Sequence, residues 1–188
     1  MKPMKVLVVV LVFGNLVSFA SPATQIQELQ ETVAVKPKVA DLGVSLAANK
    51  HRYSRREQIK LEVKLTNTDA VKDVFVYGTL ELGHRGSFTL YLRDAKGKEV
   101  PPRIILEALE SLPEPGDKSA FVKLLPFHFI GTEYGGSIPE LNMDRPGRYS
   151  IWVEYHCPIS TADVQLSPFW GKENGTIKSN VVEIEVLP

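Results

Sequence analysis

The sequence predicts an all-β chain folded as an antiparallel β-sandwich. Three observations carry this. Apolar residues recur with period two along most of the chain, as in half-buried strands. Clusters of Asn, Asp, Gly and Pro separate these runs at short spacing. No amphipathic helical pattern falls between them, which argues against a βαβ sheet.

Each element follows from its own pattern. Leu42, Val44 and Leu46 alternate with Gly43, Ser45 and Ala47. Ile59, Leu61, Val63 and Leu65 alternate with Lys60, Glu62, Lys64 and Thr66. A helix would put positions 59 and 61 on opposite sides, so this run is a strand. Asn67-Thr68-Asp69 ends it with turn chemistry. Val74–Tyr77 is a short strand before Gly78. Phe88, Leu90 and Leu92 share one face of the next, and Asp94-Ala95-Lys96-Gly97-Lys98 is a hairpin-type turn. A strand is expected over 99–106, bent or edged by Pro101 and Pro102. Residues 107–117 then form a crossing loop, with room for one helical turn at 107–111. Strand pattern returns over 119–130, interrupted by Pro126. Gly135-Gly136-Ser137 suits a flexible loop tip. Tyr149, Ile151, Val153 and Tyr155 alternate in a further strand, and Val182, Ile184 and Val186 mark the last, over 180–187.

The first twenty residues have a different character. Lys2 and Lys5 precede the apolar run Val6–Val17, and Ser18-Phe19-Ala20 offers small residues where signal peptidase needs them. We read 1–20 as a signal peptide cut after Ala20, with Ala23 as the alternative. The run is about 12 residues, against about 20 for a bilayer span, so no stable membrane anchor is expected after cleavage. No cysteine follows it to carry lipid. The expected location is secreted or periplasmic, in a bacterium. Residues 21–41 are polar with Pro22 and Pro37 and read as a flexible leader, with two helical turns conceivable over 25–32. The sandwich is expected over 42–188.

Of the 188 residues, 44% are apolar and 23% charged, which is ordinary for a globular protein. The 22 basic residues balance 22 acidic ones, and loss of Lys2 and Lys5 leaves a small acidic excess. No nucleic-acid partner is expected from such a balance. The single Cys157 excludes an intramolecular disulfide and a thiolate cluster, and it reads as a buried small hydrophobe.

Two local patterns refine the fold. Tyr53-Ser54-Arg55-Arg56-Glu57 leads into the strand that ends at Asn67, and Pro146-Gly147-Arg148-Tyr149 opens another. In the second, the Tyr enters the core with its hydroxyl free to bond nearby backbone, the logic of a tyrosine corner. These stretches resemble the Tyr-x-x-Gly-Glu…Asn and Pro-Gly-x-Tyr signatures of bacterial immunoglobulin-like, fibronectin-like and macroglobulin-like modules. Arg56 stands where those modules usually carry Gly. The resemblance spans 42–188 and implies an antiparallel immunoglobulin-like β-sandwich of roughly seven or eight strands with long loops. The first pattern also resembles a bacterial proteinase-inhibitor family named for an intracellular inhibitor of bacilli. Neither resemblance carries a function.

Catalytic signatures are not visible. After Cys157 there is no His or Met, so a type-1 copper site is not expected. His51, His84, His128 and His156 lack the spacing of a local metal pair. There is no Gly-x-Ser-x-Gly elbow and no phosphate-binding loop. Neither catalytic residues nor a metal or other cofactor are therefore expected. The one basic run, Lys50–Arg56, reads as a solvated loop.

Aromatic residues are the better candidates for binding. Trp152 falls on the polar face of its strand, with Ser150 and Glu154, so it should point outward toward a sugar or protein. The other reading is that the 107–117 loop or the leader covers it. Phe169 and Trp170 sit together in a long loop, either gripping a ligand or plugging the core. Tyr134, on a neighbouring loop, could be a third contact. These residues point to an exported, non-enzymatic module that binds protein or carbohydrate at the cell envelope. The alternatives are a small periplasmic hydrolase using carboxylates such as Glu133 and Glu173, or an assembly subunit that docks by an edge strand.

Overall fold

The alternation Ile59-Leu61-Val63-Leu65 sets the architecture, because one face of that strand must find a core and the other must stay in water. The computed structural model describes residues 39–82, 87–103, 113 and 117–188, all within the unit Pro37–Pro188. The expected signal peptide, the leader through 38, His84 and the expected helical turn at 107–111 lie outside the described residues. The described residues form ten strands, against the seven or eight expected: β1 (Leu42–Ala48), β2 (Arg52–Tyr53), β3 (Gln58–Asn67), β4 (Val74–Tyr77), β5 (Phe88–Asp94), β6 (Phe121–Leu124), β7 (Phe129–Ser137), β8 (Gly147–His156), β9 (Thr176–Lys178) and β10 (Val182–Val186). The only helical elements among the described residues are 3-10 turns at Thr161–Asp163 and Lys172–Asn174. No helix there is long and apolar enough to cross a membrane.

The strands form one sheet ordered β1-β3-β7, a second ordered β2-β10-β8-β5 with β9 also on β8, and a β4-β6 pair. All pairings are antiparallel except β2 with β10. The inward residues of β3 (Ile59, Leu61, Val63, Leu65) and β8 (Tyr149, Ile151, Val153, Tyr155) lie in one core with Leu92, Ile184 and Val186. The chain is thus all-β, with antiparallel sheets sharing a core as in a sandwich.

The first strand links the two sheets. β1 pairs with β3, and after a bend at 49–51 the chain re-enters as β2 beside β10. Asn180 fastens this edge. Its Oδ1 accepts from the Leu46 N–H at 2.9 Å and its Nδ2 donates to the Leu46 carbonyl at 2.9 Å. A side-chain amide here imitates a neighbouring strand's peptide group.

The two motif stretches have clear structural work. Tyr53 is fully buried, with its hydroxyl between Asn49 Oδ1 and the Lys50 carbonyl. Glu57 accepts from the Ser54 N–H at 2.9 Å, which closes the turn before β3. Asn67 is fully buried; its Nδ2 donates to the carbonyls of Lys72 and Leu124 while its Oδ1 accepts from Asp69 N–H. The Tyr149 hydroxyl donates to the Arg145 carbonyl at 2.9 Å, the bond expected of a corner tyrosine.

Three expectations need correction. Over its described part, 99–103, the expected 99–106 strand is not formed: Glu99 makes an isolated bridge to Arg93, and 101–103 are irregular. Pro101 and Pro102 cannot donate to a ladder. The pattern at 119–130 is two strands, with a turn at Pro126, and β7 continues through Gly135-Gly136-Ser137. That stretch is therefore strand and not a loop tip. A Cβ on Gly136 would lie 2.6 Å from the Tyr134 hydroxyl, so the glycine makes room for a ring.

Candidate functional site

Trp152 points away from the main core, as its position on β8 requires, yet it is only 5% exposed. Tyr91, its partner across the β5–β8 ladder, stacks on it at 5.4 Å with planes 6° apart. The cationic groups of Arg93 and Lys178 stand over it at 5.0 and 4.4 Å. Its Nε1 points to Glu154 Oε1 at 3.4 Å. Of the two readings of Trp152 the covered one holds, with side chains of neighbouring strands among the cover. Long cationic stems from both flanking strands bury apolar surface beneath charges that remain in water.

The loop after Ser167 divides its two aromatics. Phe169 is 3% exposed, in a second cluster with Tyr77, Cys157 and Ile159, and meets Phe121 edge-on at 5.2 Å. Backbone bonds hold the loop against β4: Phe75 N–H donates to the Pro168 carbonyl and Trp170 N–H to the Phe75 carbonyl. Trp170 is half-buried and packs against both clusters, with its Nε1 buried and unpartnered among the described residues. An open cleft of about 620 Å³ runs beside this loop, bordered by Lys72, Asp73, Thr161, Leu166, Pro168 and Phe169.

Glu173 fixes the far end of the loop. Its carboxylate accepts from Ser160 Oγ, from Thr161 N–H at 3.1 Å and from Thr161 Oγ1 at 3.1 Å. These bonds hold its pKa at about 2. Gly171 permits the approach, since a Cβ there would lie 2.8 Å from the Thr161 nitrogen. Glu133 is engaged elsewhere, pairing with Lys60 at 2.9 Å on the β3–β7 face. The two carboxylates named as possible acid and base thus have separate partners on separate elements.

Tyr134 is half-buried on β7 opposite Leu61. Its hydroxyl is buried without a partner among the described residues, and burial raises its pKa. Tyr134 and Trp170 both pack against the main core, from β7 and from the loop after Ser167. Cys157 is 2% exposed, and burial pushes its thiol up to about 11. No group of three His, Cys, Asp or Glu among the described residues could hold a metal ion. In the basic run, Lys50 pairs with Glu57 and Arg52 with Glu185.

Among the described residues, the most exposed aromatics are ones the sequence reading did not single out. Phe127 and Phe129 are 67% and 56% exposed, next to exposed Leu125 in the chain. Phe127 occupies the turn between β6 and β7 with φ +62°. The His128 N–H closes that turn on the Leu125 carbonyl, and the Phe127 N–H donates to the Asn67 carbonyl at 2.9 Å. Asn67 therefore joins this tip to the 67–72 loop that carries Val71. Pro second and a positive φ third are features of a type II turn, whose third position favours Gly or Asn. A bulky Phe there is a backbone outlier. Its signal in the sequence was the string Pro126-Phe127-His128-Phe129, in which Pro blocks the strand and leaves an aromatic at the tip.

No protein-family model and no curated protein matches this chain. Among solved structures, similarity is found to a β-glucosidase from Erythrobacter marinus, at 11% identity and a TM-score of 0.36. It covers 79% of this chain and 16% of that one, so the present chain spans about a sixth of that protein. At that TM-score the likeness carries no argument.

Proposed function

We propose that this chain is an exported, non-enzymatic, immunoglobulin-like module that binds a protein partner at the bacterial cell envelope. The first strand that changes sheets and the bonded Tyr149 corner favour the immunoglobulin-like type. The observation that carries the binding reading is Phe127. An exposed aromatic in a left-handed backbone costs stability, and such cost persists where function uses it. Leu125 and Phe129, on either side of it in the chain, are exposed as well. Adjacent exposed apolar side chains of this kind mark a protein contact, so a protein is favoured over carbohydrate.

A photoreactive phenylalanine analogue at position 127, in bacteria expressing the full chain, tests the reading. A discrete protein adduct is expected there, and none from the same analogue at Lys96 on the turn after β5. Phe127→Gly should remain folded, with stability unchanged or raised by up to ~1 kcal/mol as strain is relieved. Added in excess, purified wild-type chain should suppress the adduct and the Phe127→Gly chain should not. Equal labelling from both positions, or binding to a glycan array that survives Phe127→Gly, would overturn it.

A further inference from the structure

The sheet β1-β3-β7 has two edges that differ in kind. At β1 the outward backbone of Leu46 is occupied by Asn180. At β7 the outward edge has no strand beside it among the described residues. Which β7 groups face outward follows from the ladder. Asn67 N–H donates to the His128 carbonyl and accepts from Phe127 N–H, so odd-numbered residues of β3 turn their backbone toward β7. Their partners are Ile130, Thr132, Tyr134 and Gly136. Phe129, Gly131, Glu133 and Gly135 therefore direct their N–H and C=O groups away from β3. All four residues are exposed.

We infer that the β7 edge is a self-association surface, pairing antiparallel with β7 of a second copy about a two-fold axis at Thr132. This register uses every outward group, matching Phe129 with the partner's Gly135 and Gly131 with the partner's Glu133. An aromatic ring over a cross-strand glycine fills the space its missing side chain leaves. The outer-face charges also become complementary. Within one chain Glu62 lies directly opposite Glu133, and each carboxylate is held by a lysine of β3, Glu62 by Lys64 at 2.8 Å and Glu133 by Lys60 at 2.9 Å. In the dimer Glu133 faces the partner's Gly131, and the next residue across is the partner's Lys64, since Lys64 pairs with Gly131. The glycine leaves Glu133 a clear path to that ammonium. On the inner face Thr132 meets the partner's Thr132, a favourable cross-strand pair. Centring the axis on Glu133 would oppose two carboxylates. Centring it on Gly131 would require extended backbone at Phe127, which φ +62° forbids. The occupant is a second copy because the complementary groups, Phe129, Gly131, Glu133 and Gly135 of β7 and Lys64 of β3, all lie on this one sheet.

Sedimentation equilibrium of the wild-type chain, from micromolar to submillimolar concentration, should show a reversible dimer. Gly135→Pro removes an outward N–H that β3 does not use, at a position where a Cβ meets nothing within 4 Å. It should be monomeric with an unchanged circular-dichroism spectrum. Glu133→Lys should weaken the dimer at least tenfold, and adding Lys64→Glu should restore it. In this register position 127 lies opposite Ser137 of the second copy, so an adduct at 127 of twice the chain's mass reports this dimer, and an adduct with a different protein reports the proposed function. A wild-type monomer throughout, or a dimer indifferent to Gly135→Pro, overturns the inference. Should Gly135→Pro unfold, failure of the charge swap to restore Glu133→Lys overturns it instead.

Discussion

Phe169 and Trp170 are neighbours in sequence, yet their side chains have different surroundings. Phe169 closes the cluster around Tyr77, Cys157 and Ile159, with Phe121 against its edge. Deleting its ring should leave a cavity and cost about 3–4 kcal/mol. Trp170 spans both clusters but stays partly exposed and carries an unpartnered buried donor. Trp170→Ala should cost less, about 2 kcal/mol, because an unsatisfied N–H leaves with the ring. Urea unfolding of both variants checks the order; a larger loss for Trp170→Ala would make Trp170 the plug. At this scale the sequence told faces apart but not burial. Trp152 was placed on the outer face by its alternation with Ile151 and Val153, and it does point outward. Its cover comes from Tyr91, Arg93 and Lys178, which lie on other strands. Such covering depends on register between strands, and one strand's sequence does not encode it.

At the scale of elements, strands with strict alternation were legible almost to their ends. β3 runs Gln58–Asn67 around the pattern at 59–65, and β8 runs Gly147–His156 around 149–155. Two-residue β2 and three-residue β9 were not legible, since neither is long enough to show a period. They exist because tertiary neighbours pair with them. The same holds for the clip at the β1 edge. Asn180 reads as the first residue of the last strand, but Leu46 lies 134 positions away. Asn180→Ala leaves the Leu46 N–H and C=O without this partner, at a cost of about 1–2 kcal/mol. Hydrogen exchange should accelerate at the Leu46 amide well before it does at Val63 in the middle of β3. Unchanged protection at Leu46 would mean that β3 alone holds the edge. Glycines behaved likewise. Gly97, with φ +77° in the turn after β5, was readable, whereas Gly136 serves the ring of Tyr134 and looked like a loop residue.

Across the whole molecule, the ionisable groups with shifted equilibria set how stability depends on pH. Hydrogen bonds from Ser160 and Thr161 lower Glu173 from an ordinary 4.5 to about 2. Glu140 and Asp117 are lowered by bonds from Ser137 and Ser119. Each such carboxylate binds its proton more weakly when folded, so it supports the fold above its ordinary pKa. That support fades as pH falls through the folded value. His156 acts in the same direction for a different reason. Burial holds its imidazole below 6.5, so the unfolded chain takes up a proton that the folded chain resists. Stability should therefore be level between about pH 7 and 8, decline as pH falls below about 6.5, and decline again between about 4.5 and 2. Glu173→Gln keeps the size of the side chain and removes its titration. It should lower the urea midpoint at neutral pH and make the slope between 4.5 and 2 shallower, with Glu140 and Asp117 supplying the remainder. The segment above 5 should keep its shape, since His156 is untouched. Urea midpoints from pH 8 to pH 2 measure all three features. An acid slope identical to wild type would show that the Ser160–Thr161–Glu173 contact closes the loop without contributing to stability. The modest size expected of an exposed carboxylate makes the change of slope, more than the neutral-pH loss, the decisive reading.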